Sequence, residues 1–187
     1  LRGVRSGDNG GILGAGMMNE PRVLDMTCGG RMMWFDKNMP GVTYSDIRVE
    51  SAGCIEQQKG FCVTPDMVCD FTNLPFDDNT FDLVCFDPPH KKISTKSIIG
   101  KKYGSLDDDW QTVIPAGIME GLRVLKHCGV LVFKWNEVDV SISEVLRLVP
   151  IKPYFGHTTA KSGKTKWVTF VKRENDYVKL SKAGIHR

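Results

Sequence analysis

Phe81-Asp82-Leu83-Val84-Cys85-Phe86-Asp87-Pro88-Pro89-His90 is an apolar run that ends on a carboxylate and two prolines. Its length and composition are those of a buried strand. The first proline holds Asp87 extended and neither proline can donate to a ladder, so the strand stops there. The rigid corner that follows offers two acceptors, the Asp87 carboxylate and the Pro88 carbonyl. Acceptors fixed in this way can hold both hydrogens of an exocyclic amine and aim its nitrogen at an electrophile. In isolation, Asp-Pro-Pro reads equally well as a plain turn.

The upstream sequence extends the pattern. Arg22-Val23-Leu24-Asp25-Met26-Thr27-Cys28-Gly29-Gly30-Arg31 is a short apolar strand running into a turn of small residues, and Met32–Lys37 is expected to form a helix. A turn of that kind lets backbone N–H groups approach a ligand at a helix N-terminus. Val42–Asp46 reads as a second strand ending in an acid. Asp46 lies 21 residues after Asp25, close to the spacing of roughly 20 residues for an acid that binds ribose hydroxyls in a nucleotide-binding βαβ unit. A further acid, Asp70, closes Met67-Val68-Cys69-Asp70 and precedes Phe71. Each acid alone reads as a solvated strand end or helix cap. Four in succession mark the carboxyl edge of a sheet as a ligand crevice.

These residues resemble the successive motifs of class I S-adenosylmethionine-dependent methyltransferases, and Asp87-Pro88-Pro89-His90 resembles the Asp/Asn/Ser-Pro-Pro-aromatic signature of amino N-methyltransferases. The stretch from Arg22 to Lys172 is also similar to a group of small bacterial and prophage-borne proteins assigned as methyltransferases. That similarity rests on Thr27–Lys37, Lys102-Tyr103-Gly104, Arg123-Val124-Leu125, Phe133–Glu137 and Phe155-Gly156-His157. The resemblance implies an α/β, Rossmann-like seven-stranded fold, mostly parallel, of strand order 3-2-1-4-5-7-6 with one antiparallel strand. It also implies S-adenosyl-L-methionine as cofactor, held by Asp25, Thr27, Gly29 and Arg31 at the first turn, by Asp46 at the ribose and by Asp70 and Phe71 at the adenine. Asp87, Pro88, Pro89 and His90 become the catalytic corner. Two departures stand out: Thr27 and Arg31 occupy positions where the wider superfamily commonly has glycine, and His90 replaces an aromatic residue. A flat imidazole can stack on a base, donate a hydrogen bond, carry charge, or be only a loop residue.

A chain of 187 residues, 41% hydrophobic, fits one catalytic domain, taken as residues 17–187. Leu1–Gly16 is Gly-rich without hydrophobic periodicity and reads as a disordered leader or an expression remnant. It lacks the apolar core of a signal peptide and no run approaches a membrane span, so a cytoplasmic location is expected. The six cysteines form no C-x-x-C pair; Cys69 and Cys85 read as small hydrophobes in strands. Cys54, Cys62 and Cys69 match no common zinc spacing, and no metal is expected. Farther along, the periodicity predicts a helix over Asp107–Lys126 that Pro115 splits or kinks, a buried strand over Gly129–Trp135 and a short helix over Val140–Leu148. Pro153–Gly156 and Lys166–Lys172 are expected to pair as a terminal hairpin.

The substrate must be read from the surroundings. Residues 91–104 carry five lysines and no acid, and residues 91–106 form a basic, flexible loop expected to face the target. Lys101 and Lys102 are candidates for phosphate contacts, Tyr103 for base stacking, and Asn136 for the pocket wall. The segment from Ile151 to Arg187 has nine Lys/Arg against two acids, though solubilising surface explains a charge run equally. These features point to a nucleic acid, with an adenine amino group as target and cytosine behind it, flipped out if the substrate is a duplex. Target choice is expected to come from the loop or from a partner protein. Protein glutamine methylation, a non-catalytic nucleic-acid-binding module with a degenerate cofactor site, and a Rossmann oxidoreductase are the other readings. The last lacks the full G-x-G-x-x-G and leaves Asp-Pro-Pro without a role.

Overall fold

The computed structural model describes residues 20–156 and 163–176. The leader expected at 1–16, residues 157–162 between the expected hairpin strands, and residues 177–187 of the basic segment lie outside the described residues. Seven strands, β1 (Val23–Asp25), β2 (Val42–Asp46), β3 (Met67–Val68), β4 (Phe81–Phe86), β5 (Leu125–Asn136), β6 (Phe155–Gly156) and β7 (Thr165–Val171), form one sheet. Its order is β3-β2-β1-β4-β5-β7-β6, as the resemblance implies. Among the described strands only β7 runs antiparallel, against β5 on one side and β6 on the other. β1 sits between β2 and β4 with Asp25 level with Tyr44 and Cys85. The order reverses there, so the ends of β1 and β4 open a crevice.

Among the described residues three α-helices accompany the sheet: α1 (Ile98–Tyr103), α2 (Trp110–Val124) and α3 (Ile142–Arg147). α2 follows from its apolar spacing, which buries Trp110, Ile114, Ile118 and Leu122 on one face. It runs unbroken through Pro115, contrary to the expected split, and its last residue leads directly into β5 at Leu125 rather than Gly129. In β5, Leu131, Phe133 and Trp135 alternate inward. Phe86 and Phe133 pack with ring centroids 5.6 Å apart, and Phe71 sits 5.1 Å from Phe86. α2 can approach this aromatic layer because Gly117 lies against it; a Cβ there would stand 2.6 Å from Phe86 Cζ. α3 is started by a capping box between Ser141 and Glu144.

The helix expected over Met32–Lys37 does not form. Residues 26–41 make consecutive turns, with Gly29 at φ 47° and Arg31 at φ 55°. Local anchors explain the difference. The Trp34 indole donates to Asp25 Oδ2 at 2.7 Å, and Asp36 Oδ1 accepts from Asn38 N at 2.9 Å. Arg31 stacks on Tyr44, 3.8 Å from its ring centre. Short polar side chains that bond the nearby backbone compete with a helix. The basic loop is also partly ordered: Ser97 caps α1 by accepting from Gly100 N, and Gly104 ends it at φ 78°. Among the described residues no helix is long and apolar enough to cross a membrane.

Candidate active site

The ends of β1 and β4 are tied together. Met26 N donates to Cys85 O at 3.0 Å, and Thr27 Oγ1 accepts from Asp87 N at 3.0 Å. The turn after β1 and the Asp-Pro-Pro corner therefore face one cavity of about 650 Å³, within the roughly 300–1,000 Å³ usual for small-molecule sites. Asp25, Thr27, Gly29, Asp46, Asp70 and Phe71 line it together with Asp87–His90, Lys102, Tyr103 and Asn136. Arg31 and Lys101 do not. Arg31 instead donates to Lys37 O at 2.8 Å and Thr64 O at 2.9 Å, a role in holding the turn.

Asp25 is buried, and its Oδ1 and Oδ2 accept from Thr27 N and Trp34 Nε1. Burial lifts its pKa to about 6 in spite of these bonds, with Asp87 and Asp46 adding repulsion. The nearby Cys28 thiol is pushed up to about 12, again by burial, and is no nucleophile at neutral pH. Asp46 is saturated by the protein. Its Oδ2 accepts from Gly29 N at 2.9 Å, its Oδ1 from Arg48 N at 2.9 Å, and the Arg48 guanidinium grips both oxygens at 3.1 and 3.2 Å. Arg48 Nη1 also reaches Lys101 O and Lys102 O at the end of α1, at 3.4 and 3.3 Å. The carboxylate expected to meet ribose hydroxyls thus has an internal partner that a nucleoside must displace. Asp70 Oδ1 accepts from both Thr72 N and Thr72 Oγ1 at 2.8 Å, which fixes it beside Phe71.

At the corner itself Asp87 Oδ2 is paired with Lys134 from β5. Asp87 Oδ1 is buried, 3.7 Å from His90 Nδ1, and has no hydrogen-bond partner among the described residues. Pro88 O, which can only accept, lies 3.0 Å from His90 Nδ1, so that nitrogen carries the proton. Burial lowers the His90 pKa against the opposing pull of Asp87. The ring meets Trp135 edge-on, with centroids 6.1 Å apart. Asn136 donates to Thr165 Oγ1 at 3.1 Å, while its own Oδ1 is buried without a partner among the described residues. Asp87 Oδ1 and Asn136 Oδ1 are therefore two buried acceptors without hydrogen-bond partners among the described residues, carried by side chains that line one cavity.

Two residues of this arrangement were absent from the sequence reading of the site, Lys134 and Arg48. A signal for Lys134 exists. Phe86 pairs with Phe133 in the β4–β5 ladder, so the next position sets Asp87 opposite Lys134, an opposite-charge cross-strand pair. Nothing in the sequence marks Arg48, whose contact depends on how the chain leaves β2.

No protein-family model matches the chain, and no curated protein matches it. Solved structures do. The PH0226 protein of Pyrococcus horikoshii OT3 superposes with a TM-score of 0.55 at 15% identity, over 84% of each chain. The N-methyltransferase NodS of Bradyrhizobium japonicum WM9 gives 0.51 at 14% identity, over 81% of this chain and 85% of that one. The [4+2]-cyclase SpnF gives 0.50 at 13%, over 82% and 74%. A named methyltransferase and a named cyclase share this architecture, so the fold alone does not select a reaction. What the likeness and the strand order establish is that the chain has the seven-stranded, Rossmann-like fold of the methyltransferases.

Proposed function

We propose that the protein is an S-adenosyl-L-methionine-dependent N-methyltransferase acting on an exocyclic amino group of a nucleic-acid base, with adenine N6 in DNA or RNA as the target. The observation that carries this reading is the common cavity behind the Thr27–Asp87 hydrogen bond, where the first turn and the Asp-Pro-Pro-His corner meet. When bound, the cofactor supplies a methyl group activated on a sulfonium. Gly29 leaves its turn open to the cavity, and Asp46, once released by Arg48, offers acceptors to ribose hydroxyls. Phe71 gives an apolar face and Asp70 a polar edge for the adenine.

The chain's remaining task is to hold an amine in line with the activated methyl and exclude water. The Asp87 carboxylate serves as one acceptor, oriented by its pairing with Lys134. Acceptors at this corner favour a more tetrahedral nitrogen as positive charge develops on it. With the cofactor bound, the nitrogen would take the methyl group and then give up a proton as the product leaves for solvent. Asp87 is thus a positioning and electrostatic group. Tyr103, half-exposed at the cavity, is suited to stacking on the base. Target choice falls to α1 and its flanks or to a partner protein.

A second reading, a non-catalytic nucleic-acid-binding module, is favoured by one observation: Arg48 already fills the hydrogen-bonding capacity of Asp46. Labelled S-adenosylmethionine incubated with separate DNA, RNA and protein pools distinguishes the readings. An enzyme of the proposed kind places label in a nucleic acid, and Asp87→Ala abolishes that label while calorimetric cofactor binding persists. Normal turnover in Asp87→Ala refutes the role of Asp87. Label in protein favours glutamine, and no binding at millimolar cofactor favours the inert module.

A further inference from the structure

Beside the main cavity lies a second hollow of about 560 Å³ whose wall contains Lys37, Lys59 and Lys102 and no Asp or Glu. The three lysines come from separate segments: the β1–β2 connection, the residue after the 3₁₀ turn Glu56–Gln58, and α1. Among the described residues none of the three pairs with a carboxylate. Lys37 Nζ has a weak contact with Met32 Sδ at 3.9 Å, and Lys102 Nζ lies 5.9 Å from the Phe61 ring and 5.3 Å from that of Tyr103. Like charges gathered in one concavity, without a counter-charge, favour an anionic occupant.

The hollow is held open by specific contacts. Arg31 spans it, donating to Lys37 O on one wall and Thr64 O on the other. Its own charge is paired with Asp66 at 3.5 Å. The walls meet where Gly30 touches Phe61, at a distance a side chain would not permit, since a Cβ would stand 2.9 Å from Phe61 Cε2. Phe61 is in turn set by Ile55 and Val63 in a small core of its own. Gly29, Gly30, Met32 and Lys102 line both this hollow and the main cavity, so the two adjoin one another.

We propose that this hollow takes the phosphodiester backbone of the nucleic-acid strand that carries the target base, guiding it past Lys37 and Lys59 to Lys102 and the cavity. The proposal rests on the reading of the main cavity as a nucleic-acid methylation site and adds the path of the strand. It assigns Lys37 and Lys59, which lie outside the basic loop, to the substrate interface. Removing one lysine that neutralises a phosphate should make the plot of log affinity against log salt shallower by about 0.7–0.9.

The test measures binding of a short single-stranded oligonucleotide, by fluorescence anisotropy over a salt series, for the full chain and for K37A/K59A. Lys102 is left intact because it lines both cavities. K152A, an exposed lysine just before β6 at the opposite edge of the sheet, controls for general charge. Expected is a roughly tenfold weaker affinity and a shallower salt slope in K37A/K59A, with K152A near wild type and cofactor binding unchanged. Unchanged affinity in K37A/K59A, or an equal loss in K152A, overturns the path. Methyl transfer to nucleic acid by the wild type, with K37A/K59A binding as tightly, removes the hollow and leaves the enzyme reading standing. Weakened binding in K37A/K59A, with no transfer to any pool, upholds the path and removes the enzyme reading. A wild type that binds no nucleic acid contradicts both.

Discussion

Replacing Lys134 by methionine keeps most of the side chain and removes its charge, leaving Asp87 without its ion-pair partner. The Lys134 and Asp87 side chains are only 25% and 15% exposed, so the pair lies between two regimes. Breaking a fully buried ion pair costs about 3–5 kcal/mol, whereas exposed pairs contribute about 0–1 kcal/mol. A loss of about 2 kcal/mol is expected, enlarged because Asp87 Oδ1 has no other partner among the described residues to compensate. In urea, with a slope of about 2 kcal/mol/M, the unfolding midpoint should fall by about 1 M. Asp87→Asn in the same background removes the stranded charge and should recover much of that loss. The double-mutant cycle should then show coupling above about 1 kcal/mol. Coupling below about 0.5 kcal/mol would mean that Lys134 does not orient the corner.

Arg48→Ala frees both Asp46 oxygens from the guanidinium while Gly29 N and the residue-48 backbone N–H still donate to them. Charge-assisted bonds contribute about 1.5–3 kcal/mol each, and Arg48 is partly exposed, so cofactor affinity by calorimetry should rise about tenfold; weaker binding would make Arg48 a ligand contact instead of a competitor. Amide exchange over Ile98–Tyr103 should also accelerate, because Arg48 anchors the carbonyls of Lys101 and Lys102. Asp25 carries a pH signature. Its folded pKa of about 6 exceeds the unfolded 3.8, so its stabilising contribution is complete below about pH 4 and is lost as pH rises through 6. The difference is about 3 kcal/mol. Denaturation series at pH 4 and 7 should show that decline in the wild type and a smaller one in Asp25→Asn; equal declines would refute the burial argument.

Much of the fold was legible because it depends on short-range patterns. The apolar run ending at Asp87 is a strand for the reason its residues suggest, and the spacing of Trp110, Ile114, Ile118 and Leu122 is that of a helix. The order of the seven strands came from the family resemblance, and the β-sheet pairings agree with it. The helix expected at 32–37 failed because Trp34 and Arg31 reach partners outside their own segment, Asp25 and Tyr44. Tertiary contacts of that kind override local propensity. Pro115 misled in the other direction, since packing of α2 on the Phe86 layer outweighs one missing hydrogen bond. In the candidate site, the acids were visible as strand ends, but their state was not. Asp87 finds Lys134 across 47 positions, and Asp46 is occupied by a guanidinium that no motif marks.

One cavity is held to receive both the methyl donor and the amine. That is tested most directly by a crystal structure with S-adenosylhomocysteine and a short adenine-containing oligonucleotide. The cofactor sulfur is predicted beside the Gly29 turn, with Arg48 moved off Asp46 and the adenine N6 within about 2.7–3.2 Å of the Asp87 carboxylate. A sulfur bound outside this cavity, or an adenine seated away from the Asp87-Pro88-Pro89-His90 corner, would contradict it.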